Sequence, residues 1–258
     1  MNQQSASDKK GDFQIKTLSR KQNFSFSCHQ GIQCYNRCCY QIDIILTPFD
    51  ILNIKAHLAI TSSEFLDQYC LFQNIKGTQV PLIKLKPIDD EKRSCRFVDD
   101  KGCQIYNLRP LVCRSYPIGL SVVNEDLKPE DEKDFIIIED ICYGHREKKI
   151  WSVQRWKKDQ RVIELEQDNL KWMNLVNRMK TLRLSGEEDK KMEFFIMACY
   201  DIDTFKSFVF NSSFFKRFEI SPEKIKKLEA NEKELLVFGL SWLDFALFSE
   251  GDLKPKKI

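Results

Sequence analysis

The sequence predicts an α+β protein: a small mixed α/β, cysteine-rich region over about residues 23–148, followed by an all-helical region over about 149–250. Three observations carry this reading. A group of eight cysteines lies wholly within the first 142 residues. Short strand-like segments and turn signals fill the same stretch. From Glu147 onward the apolar spacing becomes helical. Residues 1–22 are polar and expected to be loose, and residues 251–258 read as a basic tail.

Taken in order, Gln41–Leu46 puts Ile42, Ile44 and Leu46 on one face, as a strand would. Thr47-Pro48-Phe49-Asp50 is a helix start. Thr caps, Pro suits the first helical position and the acid favours the helix dipole, so a helix should run to about Ala59. Thr61-Ser62-Ser63-Glu64 is a capping box for a second helix to about Phe72. Residues 81–86 read as a strand. Residues 95–98 and 103–106 read as two strands joined by a turn in which Gly102 can take a positive φ. A helical turn or two should start at Pro110. Residues 118–123 and 134–139 are expected to pair antiparallel across an acidic loop. Beyond Glu147, Trp151, Trp156, Val162, Leu170, Met173, Val176 and Met179 fit one or two amphipathic helices. Further helices are expected near 187–199, 201–218 and 222–249.

Composition excludes several classes. With 42% hydrophobic and 31% charged residues, the chain reads as an ordinary globular protein able to bury a core. A net charge of only +3 gives no electrostatic footprint for nucleic acid. The longest apolar run, Leu235–Phe248, is too short to span a bilayer and carries Asp244, so no membrane insertion is expected. The polar start lacks the apolar core of a secretory signal, which points to the cytoplasm.

Compartment decides how the cysteines are read. Cys28, Cys34, Cys38, Cys39, Cys95, Cys103, Cys113 and Cys142 could form a disulfide framework or a metal site. A chain of 258 residues in a reducing compartment needs no staples, which favours metal. Thiolates are soft ligands that select zinc, copper(I) or iron–sulfur clusters. Eight would serve two four-ligand sites, or one site with thiols to spare. Cys34 and Cys38 share a face on a helical turn. Cys39 is turned about 100° from Cys38 in a helix, so the adjacent pair is expected to point apart and serve different ions. A radical-SAM type C-x₃-C-x₂-C would need a cysteine where Gln41 stands. C-x-x-C, H-E-x-x-H and the glycine-rich phosphate loops are absent.

Arginines flank the thiols. Four thiolates on a doubly charged centre leave about −2. Arg37, Arg93, Arg96, Arg109 and Arg114 all lie within a few residues of a cysteine. Arg109 and Arg114 are assigned to the site as cofactor-balancing groups. Arg93 and Arg96 could equally pair with Asp89, Asp90, Asp99 or Asp100 on the surface. His29 and His145, next to or near cysteines, are lesser ligand candidates, and His57 reads as structural. Cys70 and Cys199 sit in apolar helical patterns and read as core.

The segments FSCHQGIQCYNRCC, IILTPFDILNIK, CRFVDDKGCQIYNLRPLVCRSYPIG and ICYG resemble the bacterial YkgJ-like cysteine-cluster family, a zinc- or iron-chelating domain of CxxCxxxCC type. The resemblance covers about residues 24–150. The first group departs from it by reading C-x₅-C-x₃-C-C, which bears on Cys28. It implies that Cys28, Cys34, Cys38, Cys39, Cys95, Cys103 and Cys113 are ligands, with Cys142 an eighth. It also implies a metal ion or cluster as the bound partner, with any protein partner unidentified. Members are described as iron–sulfur proteins, and flagellin lysine N-methylases have a similar cysteine pattern. A metal-dependent enzyme such as a protein lysine N-methylase, and a metal delivery or sensing protein, are therefore the alternatives to a metal-binding module.

Overall fold

A computed structural model describes residues 13–19, 22–78, 80–119, 134–180 and 188–256. It is an α+β structure, mixed in its N-terminal part and helical after that. The described chain opens with a strand, β1 (Phe13–Leu18), where looseness was expected. Its alternation places Phe13, Ile15 and Thr17 on one face and Leu18 on the other, which becomes buried. A short β2 (Asn23–Ser25) follows. The strand expected over 41–46 narrows to β3 (Ile45–Leu46), although Ile42 is still buried.

The helix starts are as the sequence predicts. In α1 (Pro48–Leu58) the Asp50 amide donates to Thr47 Oγ1 at 3.2 Å, and the Thr47 amide donates to Asp50 Oδ2 at 2.9 Å. Ala59, in the left-handed conformation, ends it. A second capping box, Thr61 with Glu64, starts α2 (Ser62–Tyr69). This helix stops short of Phe72 because Cys70 begins a strand, β4 (Cys70–Asn74), which pairs antiparallel with β5 (Pro81–Leu85). Helical spacing alone could not anticipate that the β5 backbone would claim Cys70–Phe72.

The next hairpin has two-residue strands, β6 (Val98–Asp99) and β7 (Gly102–Cys103). Gly102 has the expected positive φ, 128°. In α3 (Leu111–Ser115) Pro110 is the N-cap residue rather than the first helical one. The expected antiparallel pair is β8 (Ile118–Gly119) and β9 (Asp134–Glu139). Most of the acidic loop and the rest of the first strand fall on residues 120–133, outside the described residues. Residue 149 does not begin a helix: β10 (Ile150–Ser152) precedes α4 (Val153–Asp159) and α5 (Val162–Met179). Then come α6 (Glu188–Cys199), α7 (Ile202–Phe210), α8 (Phe214–Arg217), α9 (Pro222–Ala230) and α10 (Glu232–Phe248). The helices expected over 201–218 and 222–249 each break once. The first breaks at Asn211–Ser213, and the second at Asn231, whose side chain accepts from the Glu234 amide.

The strands form small sheets in the orders β1-β9-β8, β10-β2, β3-β5-β4 and β6-β7, and every pairing is antiparallel. Two cores result. The larger joins Leu46, Phe49, Ile54, Phe65 and Ile83 to Leu175, Phe195, Phe205, Leu236 and Leu243 from the C-terminal helices. The smaller joins Leu18, Phe24, Phe26, Ile118 and Ile136 to Trp151, Val153 and Trp156. Both therefore include residues from each side of position 148. The C-terminal tail is docked: the Glu219 amide donates to Lys254 O at 3.0 Å, and the Lys256 amide donates to Arg217 O at 2.8 Å. Among the described residues no helix is long and apolar enough to cross a membrane.

Candidate metal centre

The candidate cysteines lie on turns and short elements, some in or against the larger core, Cys142 against the smaller, and Cys28 and Cys38 exposed. Cys28 and Cys34 precede a 3₁₀ turn, Arg37–Cys39, which carries Cys38 and Cys39. Asn36, left-handed with φ 64°, starts the turn, and its carbonyl accepts from the Cys39 amide at 2.9 Å. Cys39 O then accepts from the Cys95 amide at 2.7 Å, and Gln41 N donates to Lys92 O at 2.8 Å, so the two cysteine segments are laced together. The β6–β7 hairpin brings Cys103 opposite Val98. A β-carbon at Gly102 would stand only 2.6 Å from Tyr35 Oη, so glycine lets the hairpin close on the first loop. Cys113 is carried by α3, and Cys142 lies in the turn after β9, where its amide donates to Glu139 O at 2.9 Å. The next amide, Tyr143 N, donates to Cys34 Sγ at 3.1 Å.

All ten cysteines are free thiols. Cys95 belongs to the larger core and Cys39 and Cys103 pack against it, whereas Cys142 packs against the smaller. The thiols sort the same way by their mutual electrostatic influence. Cys28 is acted on by Cys38, Cys142 and Cys34. Cys39 is acted on by Cys38, Cys95 and Cys103, and Cys113 by Cys38, Cys95 and Cys103. Cys38 faces both sets. The adjacent pair was expected to point apart. Instead the two thiols hydrogen-bond each other, within a turn tighter than the α-helix that the expectation assumed. Among the described residues, no three His, Cys, Asp or Glu side chains form a ready-made ligand set for one ion.

Charge state follows position. Burial pushes the Cys28 thiol up to about 11, and the Cys95 thiol likewise to about 11. Cys113 and Cys103 are also raised, chiefly by burial. Cys38 goes the other way, to about 7, because the Cys39 thiol donates to it; Cys39 is raised in turn. Cys70 and Cys199 stand apart in the larger core, raised by burial alone.

The two site arginines differ. The Arg109 guanidinium stacks on Tyr106 at 3.7 Å and donates to Gln160 Oε1 at 3.0 Å, and its charge favours the thiolates of Cys28, Cys38 and Cys103. Arg114 is buried and spent on backbone. It donates to Arg109 O at 2.8 Å, Gln160 O at 3.3 Å and Asn107 O. Arg96 donates to Lys86 O at 3.2 Å. The His29 ring accepts from the Gly31 amide at 3.1 Å and lies 3.6 Å from Glu147, while His57 is exposed on α1. His145 packs on Phe26 with Nε2 3.5 Å from Tyr116 Oη, and burial lowers its pKa.

Sequence reasoning missed two residues here. Tyr116 is hydrogen-bonded to Cys142 and to Glu139. Asp50 is buried beneath α3, whose Leu111 amide donates to its Oδ1 at 3.0 Å; burial raises its pKa to about 6. The sequence marks Asp50 only as the acid of the α1 start, and the only signal for Tyr116 is its place in a quoted segment near Cys113.

Residues 27–143 match the family model CxxCxxCC, whose description is "Putative zinc- or iron-chelating domain". Over those residues the chain is similar to this chelating family. No curated protein and no solved structure matches the chain. The matched span holds all eight candidate cysteines. Its limits adjoin the place where the Ser27 amide donates to Gly144 O at 3.1 Å, so the matched span begins and ends on neighbouring stretches of backbone. The match supports metal binding, of zinc or iron.

Proposed function

We propose that Cys28, Cys34, Cys38, Cys39, Cys95, Cys103, Cys113 and Cys142 hold the metal as thiolates, with an iron–sulfur cluster preferred to zinc, in the reducing cytoplasm. The reading is supported by free thiols on five separate chain segments, several of which act electrostatically on one another, with the first and second cysteine segments tied by backbone hydrogen bonds. The donor set fits: sulfur alone, an amide donating to Cys34 Sγ, and the Arg109 charge nearby to offset thiolate charge. When bound, such a group supplies electron transfer if it is a cluster and a structural crosslink if it is zinc. The protein's part is to supply the thiolates and to brace the turns that carry them.

Anaerobic purification with elemental analysis and a visible spectrum tests this reading. Iron with acid-labile sulfide and visible absorption supports the cluster, and colourless protein with stoichiometric zinc moves the assignment to zinc. Protein that takes up neither overturns both. The ligand set is tested by Cys38→Ser and Cys113→Ser, which should lower bound metal, against Cys199→Ser, which should not. Equal metal in all three would refute it.

A further inference from the structure

The Thr47-Pro48-Phe49-Asp50 start of α1 does more than begin a helix. Each Asp50 oxygen is used, and on different helices: Oδ2 accepts from the Thr47 amide at 2.9 Å, and Oδ1 accepts from the Leu111 amide at 3.0 Å. Leu111 is the first residue of α3, and its amide has no partner within that helix. Pro110, the N-cap residue, makes no side-chain cap. The cap for α3 therefore comes from 61 residues upstream. The residue is only 3% exposed, so the carboxylate has no solvent to replace either bond. The third residue of α3 is Cys113, whose sulfur moves with that short helix.

We propose that Asp50 is the positioning residue of the cysteine site: by capping α1 and α3 with one carboxylate it fixes Cys113 against Cys95 and Cys103. Its consequence for metal rests on the function proposed above, but its geometry does not. An α1 capping box alone would need only one oxygen, and a glutamate or glutamine would serve at that place. The second bond is what an aspartate here adds.

The test uses the full chain, stripped with a chelator and reduced, with alkylation followed cysteine by cysteine by mass spectrometry. Asp50→Asn keeps the shape but leaves a single acceptor oxygen, and Asp50→Ala leaves none. Cys113 should be alkylated about tenfold faster in Asp50→Asn, the effect of losing one hydrogen bond, with Cys28 unchanged and circular dichroism intact. An unchanged Cys113 rate in folded Asp50→Asn overturns the proposal, and so does an equal acceleration at every cysteine, which would mean general loosening. If Asp50→Ala fails to fold, Asp50→Asn decides. Reloading with zinc or iron should then give less metal per chain in Asp50→Asn than in wild type. If wild type binds neither metal, the metal reading falls while the alkylation result still decides the role of Asp50.

Discussion

Lys55 is the buried charge on which the helical packing turns. It points from α1 to Asp203 Oδ2 at 3.0 Å and Glu232 Oε1 at 2.8 Å, tying α7 and α10 to the cysteine-bearing part, and its side chain is 5% exposed. Burial works to lower its pKa, but the bonds to Glu232 and Asp203 outweigh this and hold it above 10.5. Asp203 is opposed by its own burial, yet donors on Ser62 and Lys55 keep its pKa below 3.8. The signs follow. The Lys55 contribution is fully present below pH 10.5 and is lost as pH rises through its folded value; that of Asp203 is present above pH 3.8 and is lost as pH falls. Lys55→Met should cost about 3 kcal/mol by urea denaturation, at the low end for a buried pair because the carboxylates are partly exposed. It should also flatten the pH dependence at both ends. A loss under about 0.5 kcal/mol would mean that the network adds nothing beyond an exposed pair.

At the scale of elements, the β6–β7 hairpin is the most constrained. Gly102→Ala would force alanine to φ 128° and set its β-carbon 2.6 Å from Tyr35 Oη. The expected cost is about 1–3 kcal/mol for the backbone strain, with weaker metal retention because Cys103 is the next residue. Tyr35→Ala in the same background should recover the steric part only, and full recovery would locate the whole effect in the ring contact. The turn glycine, both helix starts and the list of cysteines were legible in the sequence because each is set within four residues or by residue type alone. β1, β4 and β10 were not legible. β1 and β10 take their conformation from partners far along the chain, as Phe13 does opposite Glu139 and Trp151 opposite Phe24, and β4 takes its from β5 across a short turn, against its own helical spacing. The same limit hid Tyr116 beside Cys142 and Asp50 beneath Leu111. A spacing argument also could not say that Cys38 and Cys39 would meet, since it assumed one regular helix or strand.

At the scale of the molecule, the described residues form two cores with the cysteine-bearing turns bordering both, and this makes a demand on how it unfolds. Trp172 and Trp242 report on the larger core, and Trp151 and Trp156 on the smaller. Cys95, Cys39 and Cys103 belong with the first and Cys142 with the second, while Cys34 is bonded across to Tyr143. A metal held by thiolates from both sides would crosslink the cores, and its binding free energy would become folding free energy for both. Variants retaining only one tryptophan pair, the other two changed to phenylalanine, should therefore melt at the same temperature when loaded. A chelator under reducing conditions should lower both midpoints together. If it lowered only the Trp151 and Trp156 transition, the ligands in use would be those of Cys28, Cys34 and Cys142 alone. If only the Trp172 and Trp242 transition moved, they would be those of Cys39, Cys95, Cys103 and Cys113. Two shifted transitions that coincide before and after chelation are what a single bridged site at the Cys38–Cys39 turn requires, because that turn faces both sets of thiols.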